Sequence, residues 1–197
     1  MASDVTYSSY LDLERILAAQ HPASEAHDEM LFIIQHQTSE LWMRLCLFEL
    51  NVARDELAQD AFPAVFKKLA RIARIFEQLN QAWDVLRTMT PSEYRQFRNA
   101  LGPSSGFQSH QYRLIEFVLG NRNQAMMKVH EHRPELHGML TQELARKSLY
   151  HVSLDQLSKG TGLAINEAAY KLDRPHVADA SVTEAWLKVY NDPETYW

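Results

Sequence analysis

Between Pro22 and Pro63 the chain has neither glycine nor proline. Nothing in that stretch breaks a helix, so it is expected to fold as one long helix over 27–57. Leu31, Ile34, Thr38, Leu41, Leu45, Phe48 and Val52 alternate at spacings of three and four and form one apolar seam. Phe32, His36, Ser39, Met43, Cys46, Leu47 and Leu50 form a second row. The two rows lie on roughly opposite sides, because two residues turn a helix by about 200°. A helix apolar on most sides belongs at the centre of a bundle. Yet FIIQHQTSELW sets five hydrogen-bonding side chains, Gln35 to Ser39, between two apolar runs. Either the helix satisfies them or they face something.

The rest of the chain reads as helices too. Val65, Leu69, Ile72, Phe76, Leu79, Trp83 and Leu86 repeat at four and three, a bundle seam on a helix over 63–88. Thr90, Pro91 and Glu93 form a capping-box start, and Gly102 with Pro103 a stop. A further helix is expected over 107–120, ended by Gly120, with short helices near 123–130, 134–147 and 150–158. SKGTG and KLDRPHVAD read as loops. Ser181 and Glu184 suggest a second capping box, opening a helix through Tyr190. NDPETYW has the start signal of a helix, with Asp192 as cap and Pro193 first, and implies that the polypeptide continues beyond it. Residues 1–26 look like an extended or loosely helical arm carrying Tyr7 and Tyr10. Six glycines in 197 residues suit this all-α reading: one domain over 1–197, a helical bundle with long central helices.

Composition excludes several functions. A net charge of −5 argues against a nucleic-acid binder. No uncharged apolar run of about 18 residues is present, so no membrane partner is expected. MASDVTYSSY carries no charged-then-apolar leader, and Cys46 is the only cysteine. An intrachain disulfide is therefore impossible, and a reducing, cytoplasmic location is the expectation.

Two constellations have chemistry within reach. His36 is either a satisfied core histidine or a group that holds a ligand N–H or moves a proton. Phe32 lies one turn before it on the same face, and Glu40 one turn after. Tyr94 and Arg98 are also one turn apart, with Phe97 and Leu101 beside them. They are either a surface stack or a guanidinium fork for a carboxylate with a phenol lining the same space. Three weaker features have ordinary explanations alongside functional ones. Ser104-Ser105-Gly106 is an N-cap or an anion contact. Lys67, Lys68, Arg71 and Arg74 make a solvated face or a phosphate contact. VHEHRPELH is histidine-rich but lacks the spacing of a closed metal site.

Longer stretches carry a resemblance. YSSYLDLERIL at 7–17, HDEMLFIIQHQTSELW at 27–42, QAWDVLRTMTPSEYRQFRNALGPSSGFQSHQYRLIEFVLGN at 81–121 and RPHVADASVTEAWLKVYNDPETYW at 174–197 resemble the bacterial tryptophan 2,3-dioxygenase family. The resemblance covers essentially the whole chain, more loosely at 123–173. It implies an all-helical, cytoplasmic homotetramer of tryptophan/indoleamine dioxygenase type. That enzyme uses haem and O2 to open the indole ring of L-tryptophan, giving N-formyl-L-kynurenine. By motif, FIIQH supplies the substrate wall, Phe32, Ile33, Ile34, Gln35 and His36. His36, the catalytic position, takes the indole N–H. Tyr94 and Arg98 line the same site, with Arg98 on the substrate carboxylate. Trp83 and Ser105 are implied to lie near the haem. Tyr7 and Tyr10 are implied to reach it from the arm of a neighbouring subunit.

The family's axial haem histidine sits in an RHM-type motif followed by a Gly-Thr-rich loop, and neither is found here. No metal ligand is therefore assigned in this chain. The resemblance thus implies the N-terminal portion of such an enzyme, inactive alone and weak in haem binding. Two other functions remain open at this point. One is a non-catalytic helical oligomerisation module that uses the 65–86 seam and the N-terminal arm. The other is a related haem enzyme acting on another aromatic amino acid.

Overall fold

A computed structural model of the chain describes residues 5–196. Residues 1–4 of the MASDVTYSSY opening and Trp197 of NDPETYW lie outside the described residues. The described residues form helices and no strand. The long helices are α3 (Asp28–Ala58) and α4 (Phe62–Leu86), preceded by the short α1 (Tyr7–Leu11) and α2 (Leu13–Leu17). They are followed by α5 (Pro91–Arg98), α6 (His110–Leu119), α7 (Pro134–Leu144), α8 (Leu149–Thr161), α9 (Ala180–Asn191) and α10 (Pro193–Tyr196). Turns of 3-10 helix lie at Gly106–Gln108, Gln124–His130 and Glu167–Tyr170.

The chain divides into two compact units. One contains the chain up to Ser39 together with Asn80–Ser104, and the other contains Glu40–Leu79 and the chain from Ser105 onward.

In the first unit the arm is anchored to the start of α3. Gln20 Nε2 donates to Gln37 Oε1 at 2.7 Å, and Gln37 Nε2 donates to the Ala19 carbonyl at 2.8 Å. The buried Glu29 carboxylate accepts from the backbone N–H of Ala23 at 2.7 Å and of Ser24 at 2.8 Å. It also accepts from the Ser24 hydroxyl at 2.5 Å. Hydrogen bonds from Ser24 and Ala23 hold Glu29 below the usual carboxylate range.

The five polar residues at 35–39 now have partners. Thr38 and Ser39 return their hydroxyls to the carbonyls of Ile34 at 2.8 Å and Gln35 at 2.9 Å, and Gln35 Nε2 reaches Ser39 Oγ at 3.4 Å. Gln37 ties down the arm, and His36 bonds its own helix. Their polarity is satisfied mostly within α3, which is why the helix runs through them unbroken.

The second unit holds the main core. Met43, Cys46, Leu47 and Leu50 of α3 pack with Ile72 and Ile75 of α4 and with Ile115 and Val118 of α6. Ala53, Leu57, Val65 and Val152 continue it, and Leu157 packs with Ala185 and Val189 of α9. The expected all-round burial of α3 is not found. Met43, Cys46, Leu47 and Leu50 of its second row are buried and Phe32, His36 and Ser39 half-buried, whereas Ile34, Leu41 and Phe48 of the first are 47%, 58% and 65% exposed. The α4 seam also fades: Val65 and Ile72 are buried, but Trp83 is 53% exposed.

Buried charge links the elements of this unit. Arg54 pairs with Glu143, both nearly inaccessible. The Arg122 guanidinium, wholly buried, donates to the carbonyls of Leu172 (2.8 Å), Glu143 (3.2 Å), Arg146 (3.0 Å) and Leu144. It takes up the free carbonyls at the end of α7, which therefore stops at Leu144 rather than near 147. Gly120 closes α6 with φ +120°, and a Cβ there would sit 3.0 Å from Tyr150 Cβ. Both conformation and close approach require glycine.

Three local expectations are corrected. SKGTG is mostly helical, because α8 runs to Thr161 and ends at Gly162 in the left-handed region. Asp179, not Ser181, caps α9: its carboxylate accepts from Ser181 N–H at 2.8 Å. The expected 107–120 helix is a 3-10 turn and then α6, because the Ser109 hydroxyl accepts from Tyr112 N–H and restarts the helix.

Candidate functional site

The site is built in the first unit from α3 and α5. Thr90 and Glu93 fix the start of α5 reciprocally: Thr90 N–H donates to Glu93 Oε2 at 2.6 Å, and Glu93 N–H to Thr90 Oγ1 at 3.3 Å. Hydrogen bonds from the Thr90 backbone N–H and side chain hold the Glu93 carboxyl below its ordinary range. Phe97 on α5 is fully buried. Its ring lies 5.5 Å from Phe32 on α3 and 5.3 Å, edge-on, from Tyr94. Phe32 in turn lies 4.2 Å from the His36 ring and 5.9 Å from Tyr94. Four rings from two helices thus form one continuous aromatic wall.

His36 is half-buried in that wall. Its Nδ1 is 2.8 Å from the Phe32 carbonyl oxygen. A carbonyl only accepts, so Nδ1 carries a proton, and in the Nδ1–H tautomer Nε2 presents a lone pair. The Glu40 carboxylate, one turn after His36 in sequence, is engaged elsewhere: it accepts from Gln111 Nε2 at 2.8 Å. A backbone carbonyl does the orienting instead.

Arg98, half-buried, shares a face of α5 with Tyr94. Its Nη1 donates to the Gly102 carbonyl at 2.9 Å, and it enters no ion pair among the described residues. The remaining donors of the fork suit a carboxylate.

The other candidates are placed differently. Ile33 is half-buried and Ile34 is 47% exposed. Phe32 and His36, one turn apart, share a face of α3 with Gln35 at its edge, whereas Ile33 and Ile34 lie round the helix from it. Trp83 is exposed on α4, and Tyr7 and Tyr10 are 76% and 77% exposed on α1. Ser105 belongs to the second unit and caps the 106–108 turn, accepting from Phe107 N–H at 3.3 Å. The basic row is largely engaged: Lys68 with Glu56 at 2.7 Å, Arg71 with Glu49, and Arg74 with Glu77 at 2.7 Å. The histidine-rich stretch forms no metal-holding group among the described residues. Sequence reasoning passed over Phe97 as a neighbour of Arg98. The signal was there, as the one large apolar side chain without a polar atom in SEYRQFR.

An aromatic wall with one imidazole acceptor, beside a helix bearing a guanidinium, suits a flat aromatic molecule that has both an N–H and a carboxylate. Comparison with known proteins narrows that class. The family model described as Tryptophan 2,3-dioxygenase matches residues 1–188. The tryptophan 2,3-dioxygenase of Ruegeria pomeroyi is 64% identical over 197 residues, all of this chain and 71% of its own length. Those of Bradyrhizobium diazoefficiens and Pseudomonas fluorescens are 57% and 52% identical, over 98% and 100% of this chain and 70% of their own lengths. The chain belongs to the tryptophan 2,3-dioxygenase family.

No described helix is long and apolar enough to cross a membrane.

Proposed function

We propose that the α3–α5 wall binds L-tryptophan for oxidative opening of its indole ring to N-formyl-L-kynurenine, the first step of tryptophan degradation through kynurenine. Both atoms of O2 enter across the indole C2–C3 bond, so substrate and O2 account for every atom of the product. The observation that carries the reading is the tautomer of His36. Its Nδ1 proton is committed to the Phe32 carbonyl, so Nε2 is left to accept the indole N–H. Phe32 and Tyr94, backed by the buried Phe97, give the ring apolar contact and exclude water. The Arg98 fork pairs with the substrate carboxylate and fixes the amino-acid end, so the ring enters in one orientation. His36 acts here by positioning and by selecting for a free N–H. A site built to satisfy such a bond discriminates strongly against analogues that lack it.

The cofactor of this reading is haem, which when bound supplies the redox chemistry that makes O2 reactive. The exposed Trp83 ring of the first unit offers a flat apolar contact for a macrocycle, and the exposed Tyr7 and Tyr10 of α1 are further candidates; Ser105, in the second unit, is a separate candidate. These residues fit face contacts, and no iron ligand is assigned among them. The exposed phenols of α1 agree with an arm that completes a neighbouring subunit's site in a cytoplasmic homotetramer.

Equilibrium titration tests the substrate. L-tryptophan is expected to bind in preference to L-tyrosine, and Arg98→Ala to weaken it by roughly ten- to a hundredfold, the loss of a charged bidentate pair. Equal affinity for the two amino acids, or an Arg98→Ala protein that binds L-tryptophan unchanged, contradicts the reading.

A further inference from the structure

Three consecutive backbone carbonyls in the second unit are each taken by a side chain from a different place. Lys171 O accepts from His151 Nε2 at 3.3 Å, Leu172 O from Arg122 Nε at 2.8 Å and Asp173 O from Gln124 Nε2 at 3.0 Å. The segment 166–173 is thus a strap clasped along its backbone. His151 is the clasp that titrates near neutrality, and its other nitrogen has a second duty. Ser148 caps α8, and its backbone N–H donates to His151 Nδ1 at 3.3 Å. The Ser148 hydroxyl lies 2.5 Å from the same atom, and His151 N–H donates back to that hydroxyl at 3.3 Å. This is a capping box in which histidine replaces the usual Glu or Gln.

Nδ1 is therefore an acceptor facing a buried N–H, and a proton placed on it opposes that N–H directly. Ser148 and His151 are both almost wholly buried. A positive ring there also faces the N-terminal end of the α8 dipole. The charged groups around it are mostly of the same sign: Arg122 from the loop after α6 and Lys147 before α8. Asp155 on α8 opposes them. Tyr150 contributes a ring edge at 5.6 Å, and its other face stacks on His176 of the following loop at 4.5 Å. Burial and the Arg122 and Lys147 charges outweigh the Lys171 carbonyl and Asp155, so the imidazole is held below its ordinary range.

We propose that His151 is an acid-sensitive latch: its protonation unseats the first turn of α8 and frees the 166–173 strap as a local unit while the remaining core stays folded. This inference is independent of the tryptophan reading.

Hydrogen exchange on the full chain tests it, with rates corrected for intrinsic pH dependence. Protection of the amides in 149–152 and 166–172 is expected to fall by up to about tenfold per pH unit below about pH 6.5, while the Leu50 and Val118 amides keep theirs. His151→Gln supplies an acceptor without a titrating proton and is expected to flatten that dependence. His130→Gln is expected to leave it intact. Should His151→Gln not fold, the wild-type His151 ring can be read by NMR. It is expected to titrate below the ordinary imidazole range, held there chiefly by its burial. PH-independent protection in the wild type overturns the proposal. So does an unchanged fall in His151→Gln, a fall abolished by His130→Gln, or a His151 that titrates within the ordinary imidazole range.

Discussion

At the scale of single residues, the partners of two polar groups each leave one orientation. His36 gives its Nδ1 proton to Phe32 and keeps an acceptor for a ligand. Glu143 is bound to Arg54 in an almost dry environment. Removing one member of such a pair strands the other charge. Glu143→Gln is expected to cost about 3–5 kcal/mol in a denaturant titration, and a loss below about 1 kcal/mol would show that Arg54 finds another partner. Cys46 is wholly inaccessible, and burial pushes its thiol up to about 11. It is therefore expected to resist iodoacetamide at about pH 8 in the native protein and to react once unfolded, as read by mass spectrometry. Partial labelling of native protein at the rate of a free thiol would contradict this. These assignments were only half legible in the sequence. The i,i+4 spacing announced His36 and Phe32 on one face. It placed Glu40 one turn from His36 equally well, and only the tertiary contact with Gln111 shows where that carboxylate is engaged.

At the scale of elements, strong local signals were readable and tertiary ones were not. The helix starting at Thr90 was explicit because cap, proline and glutamate act within four residues. The end of α7 was not, since Arg122 reaches it across more than twenty positions. In α3 both apolar rows were visible, but periodicity does not say which one finds a partner. The second row does, and Leu41 and Phe48 stay exposed. The α5 cap makes a direct prediction. Thr90→Ala is expected to cost about 1 kcal/mol. Because α5 carries Tyr94, Phe97 and Arg98 together, it is also expected to weaken L-tryptophan binding severalfold. A variant that loses stability without losing affinity would separate the cap from the site.

At the scale of the whole molecule, two buried histidines tie stability to pH. His130 and His151 are both held below the ordinary imidazole range, chiefly by burial. His130 is further opposed by His110, His132, His137 and Arg113. The unfolded chain then binds more protons than the native one once pH drops below about 6.5. Their contribution is present above that value and is lost as pH falls toward the depressed folded values. The urea midpoint is expected to be flat near pH 7.5 and to fall between about pH 6.5 and 5.5, ahead of the acid limb where Glu29, Asp60 and Asp179 lose their partners. A midpoint constant across that window would mean that these rings charge in place. The central claim, that an imidazole and a guanidinium hold opposite ends of one tryptophan, is tested most directly by crossing ligands with variants. Binding of L-tryptophan, its 1-methyl derivative and its amide is measured on wild type, His36→Ala and Arg98→Ala. The account predicts that His36→Ala abolishes discrimination against the methyl compound only, and Arg98→Ala discrimination against the amide only. Equal losses on all three ligands in both variants would contradict it.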